Sequence, residues 1–257
     1  TIARDAEQLA EVVREFEVAG LKLHAYVGDL ADMASAEAVT QQVLAEHGVV
    51  DILINNAGRS IRRAIENSFD RFHDFERTMQ LNYFGALKVS MGVLPKMIEQ
   101  KHGHIINISS IGVLTNAPRF SAYVASKSAL DAWTRCAASE FADRGINFTT
   151  INMPLVKTPM IAPTKLYDQV PTLTPEEAAA LICDAVIHRP VRVATRLGIT
   201  GQVLHALVPR VAQIIMNTTF RMFSDSSAAK KKEAGLLPEI PSADQVAFQQ
   251  FMRGIYF

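Results

Sequence analysis

The sequence predicts an α/β protein that folds as one large domain. Short apolar runs, which are typical of buried strands, alternate with segments of helical character. Polar turns follow the strands, as where the apolar run at residues 51–54 leads into Asn-Asn-Ala-Gly. With 257 residues, of which 49% are hydrophobic, the chain can bury a sizeable core. These three observations indicate the α/β class.

Strand-like and helix-like runs give the predicted order of elements. The strands are placed at residues 21–27, 51–54, 103–108, 145–153 and 189–195, after a stub of strand at residues 1–5. The helices are placed at residues 6–18, 35–47, 79–100, 123–143 and 199–223, with another opening at Thr174. Thr174 is the expected N-cap, because Pro175 and two glutamates follow it. Phenylalanines at a spacing of three are predicted to form a core stripe: Phe69, Phe72 and Phe75.

Charge and composition argue against several kinds of protein. The 26 basic and 26 acidic side chains cancel, so the electrostatic pattern of a nucleic-acid-binding protein is missing from the sequence. Seven histidines lack the spacing of metal ligands, and no metal site is predicted. Cys136 and Cys183 lie in apolar helical contexts and are predicted to be buried free thiols, which suits a reducing cytoplasm. Neither a membrane span nor a signal peptide is expected.

Tyr123 and Lys127 form the candidate chemical centre. Positions four apart share one face of a helix, so the phenol and the ammonium should point the same way. We expect the ammonium to lower the pKa of the phenol toward neutrality, which would make it a usable proton donor and acceptor. A serine at the end of the preceding strand, Ser109 or Ser110, can hold a substrate oxygen against that phenol. Taken alone the pair is a weak signal, because this spacing occurs by chance in many helices.

Further motifs make the chain resemble the short-chain dehydrogenase/reductase family. They are Asn-Asn-Ala-Gly at residues 55–58, Asn82 in Leu-Asn-Tyr-Phe-Gly, and Ile-Asn-Met-Pro-Leu-Val-Lys-Thr-Pro-Met at residues 151–160. The resemblance runs from the start of the chain to about residue 193. It implies a Rossmann-type, doubly wound parallel sheet.

The resemblance also implies a catalytic tetrad of Asn82, Ser110, Tyr123 and Lys127. Ser110 is preferred to Ser109 because it lies thirteen positions before Tyr123, which is the usual spacing in the family. In that scheme Asn82 extends a proton relay from the lysine through a water held by its backbone. Lys127 tunes the phenol and binds the nicotinamide ribose.

A nicotinamide dinucleotide is the implied cofactor. The implied contacts are Arg4, Asp29, Leu30, Asn55, Asn56, Ala57, Gly58, Tyr123, Lys127, Pro154, Val156 and Thr158. The usual Pro-Gly over the nicotinamide is Pro154-Leu155 here, which changes the local backbone freedom. NAD-preferring members carry an acid where this chain has Ala3, and Arg4 follows it. Because a guanidinium suits a 2′-phosphate, NADPH is the expected cofactor; the alternative is an exposed arginine at the entry to a helix.

The family's first strand and its Gly-rich phosphate turn have no counterpart in the sequence. In a doubly wound sheet that strand is central. We therefore expect the sequence to be a fragment of a longer protein. We also expect the sheet to be interrupted between the stub at residues 1–5 and the strand at residues 51–54.

Longer stretches narrow the resemblance to the bacterial fatty acyl-CoA reductases, either stand-alone or as the C-terminal part of two-domain proteins. These stretches are residues 56–63, 68–83, 111–123, 153–167 and 221–226. The resemblance implies that NADPH reduces a long-chain acyl-CoA thioester to the aldehyde. Two alternatives stay open: a reductase of aldehydes, ketones or 3-oxoacyl chains, and a non-enzymatic partner or scaffold.

Residues 197–257 are predicted to be a helical extension and tail beyond the reductase domain of residues 1–196. Apolar residues at helical spacing, with Pro209 as a kink, predict the helix over residues 199–223. That helix is expected either to close the core or to use a spare apolar face, in a groove toward Tyr123 or on a membrane surface. The predicted partners are an acyl-CoA or aldehyde substrate and a second copy of the chain, with no nucleic acid. The predicted location is cytoplasmic, and membrane-peripheral if the apolar face is spare.

Overall fold

The computed structural model describes residues 1–159 and 171–222 and shows a parallel α/β fold, as predicted. The strands are β1 Ile2–Ala3, β2 Tyr26–Val27, β3 Ile52–Asn55, β4 Gly103–Ile108, β5 Ile146–Asn152 and β6 Arg192–Ala194. The helices are α1 Ala6–Val18, α2 Met33–His47, α3 His73–Met79, α4 Ala86–Gln100, α5 Ile111–Thr115, α6 Ser121–Glu140, α7 Pro175–His188, α8 Arg196–Leu207 and α9 Pro209–Met222. A short 3₁₀-helix, Ile65–Asn67, follows β3, and a π-helical turn, Gln80–Gly85, joins α3 to α4.

The sheet comes in two parts. β1 pairs in parallel with β2, and β3-β4-β5-β6 form a second parallel sheet in that order. Within residues 1–159 and 171–222 no strand joins β1 to β3, so the predicted interruption is confirmed. Ile52 and Ile54 of β3 are exposed, whereas every residue of β4, inside the second sheet, is buried.

Helices cover both faces of the four-stranded sheet. Ile105 belongs to an apolar cluster with side chains of α4 and α6. Ile106, the next residue of β4, belongs to a second cluster with side chains of α7. Because successive strand residues point to opposite faces, the two clusters lie on opposite sides of β4. This is the doubly wound arrangement, and it explains why β4 is apolar throughout its middle.

Several predicted boundaries were wrong. The strand expected at residues 21–27 is only Tyr26–Val27, because its one partner, β1, is two residues long. The helix expected at residues 199–223 is two helices, since Pro209 begins α9 instead of kinking a continuous helix. The helix start at Thr174 is confirmed: its hydroxyl accepts the Glu177 amide at 3.2 Å, and the Glu177 carboxylate accepts the Thr174 amide at 2.8 Å.

Two predictions of burial were wrong. Phe69 is 83% exposed and Phe72 is 70% exposed, because both precede α3 and a spacing of three therefore does not place them on one helical face. Phe75 is half-buried and stacks on Phe72, with ring centroids 6.0 Å apart. Cys136 on α6 and Cys183 on α7 are free but exposed.

Other predictions concern residues outside the described part of the chain. The irregular substrate loop expected at residues 157–173 lies largely in residues 160–170, and the tail expected at residues 224–257 lies in residues 223–257. Among the described helices, none has the length and apolar character needed to cross a membrane.

Candidate active site

Most of the predicted site residues lie at the carboxyl ends of the strands, whereas Asn82, Tyr123 and Lys127 are carried by helical segments. Arg4 follows β1, Asp29 and Leu30 follow β2, Asn55 to Gly58 end and follow β3, Ser110 follows β4, and Pro154 to Thr158 follow β5. In parallel strands these ends lie along one edge of a sheet. That edge is where open α/β sheets bind their ligands.

Tyr123, in the first turn of α6, is hydrogen-bonded to Ser110. Ser110 is the N-cap of α5, and its hydroxyl accepts the Gly112 amide at 3.1 Å. Burial raises the pKa of Tyr123 above its usual value, while the hydrogen bond with Ser110 acts in the opposite direction. The expectation that the lysine lowers this pKa was therefore wrong, because burial dominates. The hydroxyl of the neighbouring Ser109 is buried and has no hydrogen-bond partner among the described residues.

Lys127 lies one turn after Tyr123 and is buried. Its ammonium donates to the carbonyl oxygen of Ile108, the last residue of β4, at 2.7 Å. Burial lowers the pKa of Lys127 from its ordinary value of 10.5 to about 8. A Cβ placed on Gly58 would lie 3.4 Å from Lys127 Nζ and 3.5 Å from Asn82 Oδ1. The turn after β3 thus comes into van der Waals range of both side chains.

Asn82 lies in the π-helical turn and is fully buried. Its Oδ1 accepts the Arg59 amide at 2.8 Å, and its Nδ2 donates to the Arg59 carbonyl at 2.9 Å. Nδ2 also donates to the Ser126 hydroxyl at 2.9 Å, and that hydroxyl donates to the Tyr123 carbonyl at 2.7 Å. Sequence analysis missed Ser126, although its position three residues after Tyr123 on a helix was a usable signal.

Gly85 allows the π-helical turn to approach the chain after β2. A Cβ on Gly85 would lie 2.2 Å from the carbonyl oxygen of Leu30, which is far inside van der Waals contact. Only glycine therefore permits this packing. It couples the predicted adenine contact at Leu30 to the turn that carries Asn82, and π-helical turns are found frequently at functional sites.

Asn55 turns its side chain into the core. Its Nδ2 donates to the Ser90 hydroxyl at 2.9 Å and to Asn107 Oδ1 at 2.7 Å. Asn107 Nδ2 donates in turn to the Thr134 hydroxyl at 2.8 Å. The amide thus ties β3 to β4, α4 and α6. Among the residues of this turn, the exposed Asn56 and Ala57 are better placed for a ligand.

The remaining predicted cofactor contacts fit a dinucleotide lying along the strand ends. Arg4 Nη1 lies 4.0 Å from the Asp29 carboxylate, and because both groups are largely exposed this pair contributes little to stability. The guanidinium therefore stands at the ends of β1 and β2 without a strong internal partner, as binding of an anionic phosphate would need. Pro154 is buried. Val156 forms an isolated parallel β-bridge with Leu173, which lies just before α7. The Val156 carbonyl accepts a hydrogen bond from the Thr158 hydroxyl at 3.4 Å.

A cavity of about 440 Å³ lies beside α6, within the usual size range of small-molecule sites. Its lining is mostly apolar and includes Ala64, Ile65, Ala117, Pro118, Val124 and Phe220. Ser121 and Val124 come from the same part of α6 as Tyr123. The apolar residues of the extension that were expected to line a groove toward Tyr123 are not among its walls; α9 contributes Phe220 instead.

Phe220 is held by Arg119, a contact that the sequence did not predict. The Arg119 guanidinium lies over the Phe220 ring, 4.0 Å from its centroid, and Nη1 donates to the Phe220 carbonyl at 3.1 Å. Arg119 has a left-handed backbone conformation, with φ of 69°, and its carbonyl accepts the Arg63 amide at 2.7 Å. The loop before α6 thus connects α9 with the loop after β3.

Comparisons with known proteins agree with this geometry. A model of the short chain dehydrogenase family matches residues 1–167. The chain is 55% identical to the fatty acyl-CoA reductase of Acinetobacter baylyi over 228 residues, which cover 89% of this chain and 77% of that protein.

Two solved structures support the same assignment. A short-chain dehydrogenase from Streptomyces avermitilis superposes with a TM-score of 0.70 at 27% identity, covering 86% of this chain and 87% of that one. A metagenomic short-chain oxidoreductase in complex with NADP gives a TM-score of 0.56 at 30% identity, over 60% and 68% of the two chains. The sheet, the site residues along its edge and these similarities lead to one conclusion: the chain belongs to the short-chain dehydrogenase/reductase family of oxidoreductases.

Proposed function

We propose that the protein reduces a long-chain fatty acyl-CoA thioester to the fatty aldehyde with NADPH. The observation that carries this proposal is the 55% identity to the fatty acyl-CoA reductase of Acinetobacter baylyi. That similarity covers 89% of the chain and therefore extends well beyond residues 1–167, which carry the general family pattern. It includes part of the C-terminal region, where Phe220 contacts the cavity beside α6.

NADPH is preferred to NADH on the chemistry of the strand ends. Arg4 directly follows Ala3, the last residue of β1, where NAD-preferring members carry the acid that binds the ribose 2′-hydroxyl. A guanidinium instead offers a fork of N–H donors that matches the geometry of a phosphate. The similar metagenomic oxidoreductase was solved with NADP, which is consistent with this choice.

The tetrad residues have complementary proposed roles. A reduced nicotinamide bound along the strand ends would supply the hydride for the thioester carbon. Ser110 holds the substrate oxygen, and Tyr123 gives it a proton as the carbonyl bond opens. The C–S bond of the resulting thiohemiacetal then breaks, the carbonyl forms again, and coenzyme A leaves as the thiol with the hydroxyl proton. Lys127, with its pKa near 8, can exchange a proton near neutral pH and so restore the phenol through the relay that Asn82 extends.

The apolar cavity offers a place for the acyl chain. Each methylene removed from water contributes about 0.8 kcal/mol, which corresponds to roughly fourfold in kcat/KM for each carbon until the cavity is filled. Phe220 forms part of the wall and is held by Arg119. The loop around Arg119 also leads directly into α6, so the chain would lie beside the reacting group.

A series of acyl-CoA substrates tests the proposal. We expect kcat/KM to rise with acyl length and to exceed the value for matched aldehydes, ketones and 3-oxoacyl-CoA. Phe220→Ala should flatten the rise at long lengths while leaving the shortest substrates nearly unchanged. A matched control is Phe16→Ala on α1, whose exposed ring lies outside the cavity walls. Faster turnover of an aldehyde or ketone of equal length would assign the site to that substrate instead.

A further inference from the structure

Helices α8 and α9 expose a set of apolar side chains, which we call the α8–α9 face. Its main members are Val203, Leu207, Val208, Val211, Ile214 and Ile215. Leu207 is 75% exposed and Ile214 is 60% exposed. The core uses other sides of these helices: Gly198 packs against Leu114 of α5, and Ala212 is buried. Within the described residues this apolar surface has no cover.

The face is organised by helical spacing. Val211, Ile214 and Ile215 are three and four residues apart on α9, and Val203 and Leu207 are four apart on α8. Thr218 continues the α9 stripe, and its hydroxyl donates to the Ile214 carbonyl at 2.9 Å. Thr219 follows Ile215 in the same way and donates to its carbonyl at 3.0 Å, so both hydroxyls are satisfied within the helix and moving them out of water leaves no unpaired donor.

The formal charges carried by α8 and α9 themselves have a single sign. Residues 196–222 contain Arg196, Arg210, Arg221 and His205 but no aspartate or glutamate, in a chain whose formal net charge is zero. Arg210 and Arg221 are eleven residues apart, or about three helical turns, so they share one side of α9. Ile214 lies four residues after Arg210 and seven before Arg221, which puts both arginines at the edge of the apolar stripe.

We propose that the α8–α9 face docks on a lipid bilayer surface that carries anionic headgroups. Exposed aliphatic side chains bordered by arginines form the amphipathic surface that lies in the interface plane of a membrane. The arginine stems can pass along the apolar layer while their heads reach the phosphates. The positive charge of the α8–α9 face favours an anionic bilayer over a second copy of the chain, because two positively charged faces would repel each other. The proposal does not depend on which substrate the site reduces.

Vesicle co-sedimentation of the whole protein tests the proposal. The probes are vesicles of phosphatidylcholine with phosphatidylglycerol and vesicles of phosphatidylcholine alone. We expect stronger binding to the anionic vesicles, weakened by salt. The double variant Leu207→Asp with Ile214→Asp should lower binding at least tenfold. The double variant Arg210→Gln with Arg221→Gln should lower it roughly 25-fold, at about fivefold for each cation near an anionic surface.

Matched controls keep these results specific. Val18→Asp changes a 91% exposed apolar residue on α1, and Arg14→Gln with Lys22→Gln removes two exposed cations away from the face. Both controls should bind like the wild type, and all variants should keep its thermal unfolding midpoint.

Three outcomes would overturn the proposal. The first is equal binding to neutral and anionic vesicles, or a loss of vesicle binding in the control variants as large as in the variants of the face. The second is no vesicle binding together with a dimer that the Leu207→Asp, Ile214→Asp variant dissociates, which would assign the face to a second copy. The third is a monomer that binds neither kind of vesicle.

Discussion

At the scale of single residues, the site depends on polar groups held out of water. Lys127 is buried, and the fall of its pKa from 10.5 to about 8 corresponds to a cost on the order of 3 kcal/mol for keeping the ammonium charged there. Its hydrogen bond to Ile108 holds the amine in place. Burial raises the pKa of Tyr123 instead of lowering it, since the uncharged form of a phenol is the protonated one. Both shifts favour the uncharged form: the phenol keeps its proton, while the amine gives up its proton more readily, which suits an acid–base pair.

Removal of the phenol hydroxyl tests the role of Tyr123. Tyr123→Phe keeps the ring and removes the proton donor, so turnover should fall by roughly 10²–10⁴-fold while NADPH still binds. Steady-state kinetics and fluorescence titration of the cofactor measure the two quantities. Tyr26→Phe is the matched control, because that phenol lies on β2 and bonds to Glu46 at 2.7 Å. Turnover near that of the wild type in Tyr123→Phe would remove this residue from the chemistry.

Substitution of Arg4 tests the proposed preference for NADPH. Arg4→Ala should weaken NADPH binding by about 10- to 150-fold, the equivalent of roughly 1.5–3 kcal/mol for a charged hydrogen bond. NADH binding should be nearly unchanged, because it has no 2′-phosphate. Isothermal titration with both cofactors provides the measurement. The control is Arg14→Ala, which removes an exposed arginine from α1. Equal losses for the two cofactors would assign Arg4 a structural role.

The depressed pKa of Lys127 predicts a pH dependence of stability. Below about pH 8 the amine is protonated in both the folded and the unfolded chain. Between about pH 8 and 10.5 the folded protein has released the proton and the unfolded chain retains it, so the free energy of unfolding rises by up to ~1.4 kcal/mol per pH unit. The free energy of unfolding is measured with denaturant for the wild type and for Lys127→Met across this pH range, and the difference between the two isolates the contribution of the lysine. A difference that stays flat or falls over that range contradicts the pKa assignment.

At the scale of elements, the sequence predicted features set by neighbouring residues better than features set by long-range contacts. The capping box at Thr174 follows from four consecutive residues and was predictable. The π-helical turn at Gln80–Gly85 was not, and the residue it packs against, Leu30, lies 55 positions before Gly85 in the sequence. The prediction for Phe72 was wrong as well: its spacing suggested a helical face, but α3 begins only after it.

Gly85→Ala tests the packing of the π-helical turn. The added Cβ would meet the Leu30 carbonyl at 2.2 Å, and backbone cannot yield as a flexible side chain can. We expect a loss of about 3 kcal/mol or more in the free energy of unfolding, at the upper end of overpacking effects. Gly112→Ala is the control in α5, where the added Cβ would make ordinary contacts of 3.4 Å and longer. Equal stability of the two variants would show that the turn can move away from Leu30.

At the scale of the whole molecule, the parallel order of strands places residues from distant parts of the sequence along one edge. The motifs that follow the ends of apolar strands predicted this arrangement, because a strand end is a local feature of the sequence. The contact between Arg119 and Phe220 was not predictable, since the two residues are 101 positions apart and no local pattern links them. Likewise, the spacing of apolar residues in α8 and α9 showed that a face exists but not that it remains exposed.

The central claim is hydride transfer to a thioester, and isotope labelling tests it most directly. The protein is supplied with a long-chain acyl-CoA and with NADPH that carries deuterium at the transferred position. We predict a fatty aldehyde with one deuterium on its carbonyl carbon and one coenzyme A thiol released for each NADPH oxidised. Thiol release without NADPH oxidation, or NADPH oxidation of a ketone or aldehyde with no thiol released from acyl-CoA, would contradict the account.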